Sequence, residues 1–433
     1  MIETAEQVNG ASELLAEHEV AIVGTGFAGL GMAIRCRQEG IDDFVVLERA
    51  ESLGGTWRDN HYPGCACDVP SPLYSFSFAP NPGWSHMYAH ADEIRAYLEQ
   101  CADRFDVRRR VRFGANVTGA HWDAERQRWT VMIDHRPALI ARFVVGGFGA
   151  LNRPTFPSID GLEEFEGALF HSAHWNDDVP LAGRRVGVIG TGASAIQIVP
   201  QIAPGASHVT VFQRTAPWVL PKADRPITRM EKRLYPRVPA IQRAIRAAIF
   251  AITEGLATGL TRRHRILAGL EQVSRAFLRV TVNDPEKRRQ LTPDYRLGCK
   301  RILFSNDYFQ GVARSNVAIE TSGIQRVTPS AVVTSDGVEH PVDALVAATG
   351  FDIEAVFTGL DVRGVDGITL DQAWAGGMEA HRGTTVAGFP NMALLSGPNT
   401  GTGSTSQVFM IESQIDYVLA MISAARQGAI SVR

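Results

Sequence analysis

The sequence predicts an α/β protein with two parallel-sheet units of the dinucleotide-binding type and a helical insert. Three observations carry this. Two segments repeat the same order of apolar strand, glycine-rich turn, helix and second apolar strand. A long block with apolar residues at three- and four-residue spacing interrupts the later half of the chain. The length of 433 residues exceeds what one hydrophobic core usually supports, so more than one domain is expected.

The first unit extends from Val20 to Glu48. It comprises the strand VAIVG, the turn Gly24-Thr25-Gly26-Phe27-Ala28-Gly29, a helix reaching Gly40, and the strand FVVLE. RWTVMI and ARFVVGGFG read as strands that complete it, and Pro154 and Pro157 mark a linker. The second unit, Arg185 to Arg214, repeats the pattern with VGVIG, the turn Gly190-Thr191-Gly192-Ala193-Ser194-Ala195, a helix, and HVTVFQR. Residues 228–281 then read as helices with interleaved arginine. Strand character returns in SNVAIE, AVVTS and DALVAATG, and a last apolar helix covers roughly Thr405 to Ala425. Both ends of the chain thus build one Rossmann-like domain, residues 1–150 and 341–433. A second, residues 158–220 and 298–340, interrupts it, and the helical insert, residues 221–297, interrupts the second.

Hydrophobic residues at 45% and charged residues at 21% exclude a disordered or fibrous chain. The formal net charge of -3 says little about partners, of which none is expected to be a nucleic acid, and it conceals an asymmetry: positions 221–301 hold 19 Lys and Arg against 7 Asp and Glu. An electropositive approach for a polyanionic cofactor accounts for this block. Contact with an anionic membrane surface is the weaker alternative, because helices packed around a substrate cavity need the same arginine pattern. The five cysteines, Cys36, Cys65, Cys67, Cys101 and Cys299, form no CxxC pair and argue for free thiols in a reducing compartment. Glu3, Glu6, Glu13 and Glu17 leave no basic, apolar leader at the N-terminus. The longest charge-free stretch, Thr384 to Ile411, is too rich in Gly, Ser, Thr, Pro and Asn to span a membrane. A soluble cytoplasmic protein is expected.

In the first turn, Gly24, Gly26 and Gly29 allow the backbone to approach a pyrophosphate at a helix N-terminus. Glu48, nineteen residues after Gly29, is placed to accept hydrogen bonds from ribose hydroxyls and to repel a 2'-phosphate, which suits FAD or NAD. In the second turn Ala195 replaces the third glycine, and the following strand ends in Gln213-Arg214-Thr215. A guanidinium and a hydroxyl suit a 2'-phosphate dianion, so NADPH is the expected reductant. Thr191, Gly192, Ala193 and Ser194 would hold its phosphates, and Lys300 would add a second positive charge.

Gly54-Gly55-Thr56-Trp57, followed by Tyr62-Pro63-Gly64 and Asp68, resembles the flavin-side loop of FAD-dependent monooxygenases. Ala347-Ala348-Thr349-Gly350-Phe351-Asp352 resembles the motif at which such enzymes return the chain to the flavin. Between the nucleotide motifs stands Phe165-x-Gly167-xxx-His171-xxx-Trp175, which resembles the fingerprint of type I Baeyer-Villiger monooxygenases. With both glycine motifs in order, the resemblance covers nearly the whole chain. Asn176 departs from the usual Pro or Asp, and His61 from the Arg that many members carry.

The resemblance implies FAD and NADPH as cofactors, a small-molecule ketone and O2 as substrates, and no metal. One oxygen atom would enter beside the carbonyl, via a flavin peroxide, to give an ester or lactone. Tyr74 and Val117 join the implied flavin-binding residues. At Gly298-Cys299-Lys300-Arg301 the resemblance implies that Arg301 lies over the flavin as the catalytic residue, with Asp68 as its charge partner. A fixed guanidinium there stabilises negative charge on the oxidant and on the tetrahedral adduct, and the carboxylate offsets the cost of burying it. His171 and Trp175 are expected to organise the interdomain linker without entering the chemistry. Family members commonly continue past the position of Arg433, which implies that part of a substrate pocket or lid lies beyond it.

Oxidation of nitrogen or sulfur uses the same two nucleotides and is the nearest alternative; the histidine-tryptophan string and the Lys300-Arg301 pair favour the carbonyl reaction. A disulfide reductase would need a CxxC pair. A catalytically silent flavin-binding module is the alternative of another class, and ketone-dependent consumption of O2 and NADPH excludes it.

Overall fold

The computed structural model describes residues 15–428 apart from 263 and 358, so Glu3, Glu6 and Glu13 lie outside the described residues. The chain opens with β1 (Ala16–Val23), α1 (Phe27–Gln38) and β2 (Phe44–Leu47), continues through α2 (Thr56–Asp59) and α3 (Ala91–Arg104), then β3 (Val111–Arg112), β4 (Val117–Asp123), β5 (Arg128–Ile133) and β6 (Arg136–Gly146). Next come β7 (Ala168–His171), β8 (Arg185–Ile189), α4 (Ala193–Ile202), β9 (His208–Phe212) and β10 (Val219–Leu220). The insert holds α5 (Arg229–Arg237), α6 (Pro239–Arg262), α7 (His264–Thr281) and α8 (Pro285–Gln290). After it follow β11 (Leu303–Phe304), α9 (Tyr308–Ala313), β12 (Val317–Glu320), β13 (Ile324–Val327), β14 (Ala331–Thr334), β15 (Glu339–Pro341) and β16 (Ala344–Ala347). The last elements are β17 (Asp361–Arg363), α10 (Leu370–Ala373), β18 (Met392–Leu394) and α11 (Gln407–Arg426).

Two main sheets result. The first has the order β17-β4-β5-β6-β1-β2-β3, with β18 also paired to β6; the second, parallel throughout, has the order β12-β9-β8-β16-β7. The central strands read as unbroken apolar runs because both of their faces are buried. On β1, Val20 and Ile22 enter the core beneath α1, α3 and α11, while Ala21 enters the core around Trp129. The domain boundary expected at 341 needs correction. β16 pairs with β7 and β8, so the chain stays in the second sheet to Ala347 and rejoins the first only at β17. A strand buried on both faces carries no mark of the sheet it joins.

By length and composition α11 could cross a membrane, but it lies against α1 with Ile415, Val418 and Ile422 fully buried, as a core helix does. All five thiols are free, and only Cys299 is exposed. Burial pushes the Cys65 thiol up to about 12, which suits packing rather than redox chemistry.

The helical insert is anchored by one of its own arginines. Arg246 on α6 donates to the carbonyls of Pro72, Leu73 and Ser75 at 2.9, 3.2 and 2.8 Å and pairs with Glu412 of α11 at 3.2 Å. Glu412 also accepts from Ser77 N at 2.6 Å. Both side chains are mostly buried, 17% and 13% exposed. This arginine of the basic block therefore serves docking and not the attraction of a polyanion. Arg246→Met should cost about 3–5 kcal/mol of unfolding free energy, because it strands a buried carboxylate and three carbonyls. Denaturant titration measures this, and a loss under about 1 kcal/mol would contradict the anchoring role.

Candidate functional site

Both glycine turns place backbone, and no side chain, where an anion would sit. α1 begins at Gly26 and α4 at Gly192, each in extended conformation and neither with a side-chain cap. By contrast Thr228, Asp284, Thr369 and Ser406 cap their helices through side-chain oxygens. First-turn N–H groups left in this way after a glycine turn, at the positive end of a helix, suit a phosphate. A Cβ at Gly192 would meet nothing within 4 Å, and one at Gly26 would meet only the Gly55 Cα at 3.8 Å. Gly24 and Gly29 are needed for another reason. Gly24 has φ +94°, and a Cβ there would lie 2.6 Å from the Gly147 carbonyl oxygen, while a Cβ on Gly29 would collide with the Gly24 carbonyl. Ala195, the counterpart of Gly29, is fully buried.

Glu48 lies just past β2 with its carboxylate fully engaged. Oε2 accepts from Thr25 N (2.9 Å) and Thr25 Oγ1 (2.5 Å), and Oε1 from Ala50 N (3.0 Å) and Arg58 Nη1 (3.1 Å). It braces the turn, with Arg58 as a partner that sequence reasoning missed. Gly55 is pressed backbone to backbone against Gly26 and caps α2, which starts at Thr56. Trp57 Nε1 donates to Tyr74 Oη at 3.1 Å, and the Tyr74 ring packs edge-on against Trp57 and Phe27. Val117, on β4, joins Val23 and Gly146 in the wall of a small apolar cavity.

In the second unit Thr191 Oγ1 donates to the Thr215 carbonyl at 3.0 Å, tying the turn to the end of β9. Thr215 is half-buried and Arg214 exposed; among the described residues Arg214 has no hydrogen-bond or ion-pair partner. Lys300 stands 4.9 Å from the Tyr295 ring centre, and no hydrogen bond joins it to Arg214 or Thr215 among the described residues.

Among the contacts that join the two units, three are directional and reach the candidate site or the crossovers. Arg301, before β11, donates through Nη2 to Asp68 Oδ2 at 2.6 Å; Asp68 follows the flavin-side loop of the first unit. The carboxylate raises the guanidinium pKa further. Gln197 on α4 accepts from Tyr62 Oη (3.0 Å) and donates to the Ala66 carbonyl (2.9 Å). Beside it Gly64, at φ +79°, packs so closely on the Gln197 carbonyl that a Cβ would sit 2.9 Å away. An open cleft of about 800 Å³ lies between Trp57, His61 and Tyr62 on one side and His90, Arg95 and Glu99 on the other.

The third contact is between the two crossover segments. Thr155 N donates to the Gly350 carbonyl (3.0 Å) and Asp352 N to that of Arg153 (2.9 Å). His171, fully buried at the end of β7, has Phe156 of one crossover and Phe351 of the other packed edge-on at 5.6 and 5.8 Å. Its Nδ1 accepts from Ala173 N at 3.1 Å, and Nε2 faces the Gly350 carbonyl without a well-formed hydrogen bond. Trp175 packs on Phe170, and its carbonyl lies 3.2 Å from His61 Nε2. Among the described residues no group of three His, Cys, Asp or Glu side chains is placed to hold a metal.

The model of the flavin-binding monooxygenase-like family matches residues 17–365. A Baeyer-Villiger monooxygenase of Streptomyces coelicolor is 49% identical over 411 residues, covering 93% of this chain and 79% of the relative. An oxidized steroid monooxygenase bound to NADP has a TM-score of 0.85 at 33% identity, covering 95% of this chain and 87% of that one. OTEMO in complex with FAD and NADP gives 0.85 at 29%, covering 95% and 85%. The chain belongs to the flavin-binding monooxygenase-like family, and within it to the Baeyer-Villiger monooxygenases. It is an NADPH-dependent flavin enzyme, and the glycine-turn starts of α1 and α4, which share the absence of a side-chain cap with α2, α3 and α9 but alone follow a GxGxxG/A turn, fit its two dinucleotides.

Burial, aided by the charge of His174, pushes the His171 pKa down to about 4, so the imidazole is neutral at pH 7. Its folded-state value lies below the unfolded one, near 6.5, so this contribution to stability is complete above about pH 6.5 and is lost as pH falls toward 4. The loss should reach about 3 kcal/mol. His171→Gln keeps an acceptor and removes the titration. The gap in unfolding free energy between parent and variant should close or reverse across that window, and a gap independent of pH would contradict it.

Proposed function

We propose that this enzyme inserts one atom of O2 between the carbonyl carbon of a ketone and its neighbour, giving an ester or lactone. The observation that carries the reading is the Arg301–Asp68 pair, in which each unit supplies one member, Asp68 following the loop that carries Trp57. FAD, when bound, supplies the oxygen-activating chemistry with electrons from NADPH. Arg301 offers a permanent positive charge to the oxygen that becomes anionic when the carbonyl is attacked, and Asp68 fixes where that charge stands. The Gly24–Gly29 turn and the first N–H groups of α1 bind the flavin pyrophosphate; a ribose reaches Glu48 by displacing Arg58. Arg214, without another partner among the described residues, takes the 2'-phosphate of NADPH, with Thr215 beside it. Lys300 would join them by leaving Tyr295. The free thiols support a reducing compartment such as the cytoplasm.

NADPH should exceed NADH in kcat/KM by at least about tenfold, and Arg214→Ala should remove most of that ratio. Steady-state kinetics with both nucleotides decide it; an unchanged ratio in the variant assigns the phosphate elsewhere. Arg301→Ala should fold and retain FAD, while ester formation falls by about two to three orders of magnitude and residual NADPH oxidation yields hydrogen peroxide. Product quantified by mass spectrometry at the parental rate would overturn the assignment of Arg301.

A further inference from the structure

We propose that Gln197 is a positioning residue that couples the nucleotide site at the start of α4 to Asp68, so that a dinucleotide bound in the second unit fixes the carboxylate that holds Arg301. The proposal rests on the assignment of that site to NADPH and on the role given to Arg301 above. Gln197 opens the second turn of α4, directly after the first-turn residues 193–196 that follow the glycine turn. A helix moves as a rigid element, so a phosphate seated on its first N–H groups sets where the Gln197 side chain stands.

That side chain completes a strand edge. Residues 65–67 run antiparallel to residues 89–91 of the first unit, with Ala66 opposite His90; Cys67 N donates to the Ala89 carbonyl and Ala91 N to that of Cys65, each at 2.9 Å. In this pattern the N–H and C=O of Ala66 point to the other edge. Gln197 meets them there with one amide. Its Nε2 donates to the Ala66 carbonyl at 2.9 Å, and its Oε1 accepts from Tyr62 Oη at 3.0 Å and, at the longer distance of 3.4 Å, from Ala66 N. The amide thus stands in for a neighbouring strand, offering one donor and one acceptor to the same residue.

The segment is the seam between the units. Tyr62 and Cys65 enter the apolar core of the second unit, and Cys67 enters that of the first. Gly64 brings the loop onto α4: at φ +79°, a Cβ there would lie 2.9 Å from both the Gln197 carbonyl oxygen and Gln201 Cγ. Two residues beyond Ala66, Asp68 accepts from Arg301 Nη2 at 2.6 Å. α4 therefore cannot slide against this loop without breaking the Gln197–Ala66 pair, and a shift carried through that pair moves Asp68. Leucine at 197 would fill the space but take from Ala66 its partner on that edge.

Two measurements on the FAD-loaded enzyme test this. The first needs no turnover: amide hydrogen exchange, read by mass spectrometry with and without NADP+. In the parent, NADP+ should slow exchange at the start of α4 and across residues 62–70; in Gln197→Leu it should slow the former and leave the latter unchanged. Protection of 62–70 that is missing in the parent, or that persists in the variant, overturns the proposal, whereas no protection at α4 in the parent sinks the placing of NADPH itself. The second is the ratio of ester formed to NADPH oxidised. Gln197→Leu should lower it about fivefold while NADPH oxidation continues, and should add nothing in an Asp68→Asn background, because it acts through that carboxylate. Gln197→Glu, equal in size, loses only the donor to the Ala66 carbonyl and gives the same readings with the packing preserved. A parental ratio in Gln197→Leu, or equal losses in the two backgrounds, overturns the coupling; parental ratios in Asp68→Asn and Arg301→Ala sink the reading of that pair.

Discussion

The uncapped starts of α1 and α4 are the constraint around which the rest of the fold is arranged. A helix that leaves its first N–H groups without a side-chain partner forgoes a stabilising cap at each end where it does so. Both nucleotide-binding units accept this at equivalent positions, whereas four other helices take side-chain caps. Keeping those groups clear requires glycine at the turn. It also requires the chain to cross beneath it closely, with Gly147 under Gly24 and Ala348 under Gly190. The crossovers between domains therefore begin directly at the two phosphate sites.

Joining the units combines apolar contact, with Tyr62, Cys65 and Ala91 of the first unit entering the core of the second, and directional polar contacts. Gln197 reads the backbone of the flavin-side loop through its amide, Arg301 reaches Asp68, and the crossovers pair through main-chain hydrogen bonds with a neutral imidazole packed between two phenyl rings. Each of these contacts is directional, so each specifies one arrangement of the two sheets. Arg246 extends the same principle to the insert, holding three carbonyls and a carboxylate that no apolar side chain could satisfy.

Much of this was legible in the sequence because it is local. The two strand-turn-helix motifs, Glu48 at the end of β2 and Arg214 after β9 follow from spacing alone, and family resemblance pointed to Arg301 and Asp68. What escaped depends on residues far apart in the chain. Arg58 completes the shell around Glu48, and Gln197 clamps a loop more than a hundred residues earlier. The boundary at 341 failed for a related reason: the apolar pattern of β16 fits either sheet, and only pairing with β7 and β8 decides between them. The arginine-rich block read as a field for a polyanion, yet a side chain such as Arg246 shows its purpose only once its carbonyl partners are in place.

The two turns differ in how much of their surroundings is already committed, and this bears on residence time. The first is held by a buried carboxylate that carries four donors and by Gly55 against Gly26, so its shape exists before any ligand arrives and little ordering remains to oppose tight retention. The second ends at an exposed arginine which, as the proposed phosphate ligand, would be immobilised at each encounter and freed at each departure. One site is thus suited to a ligand that stays through many catalytic cycles, and the other to one that must leave within each of them.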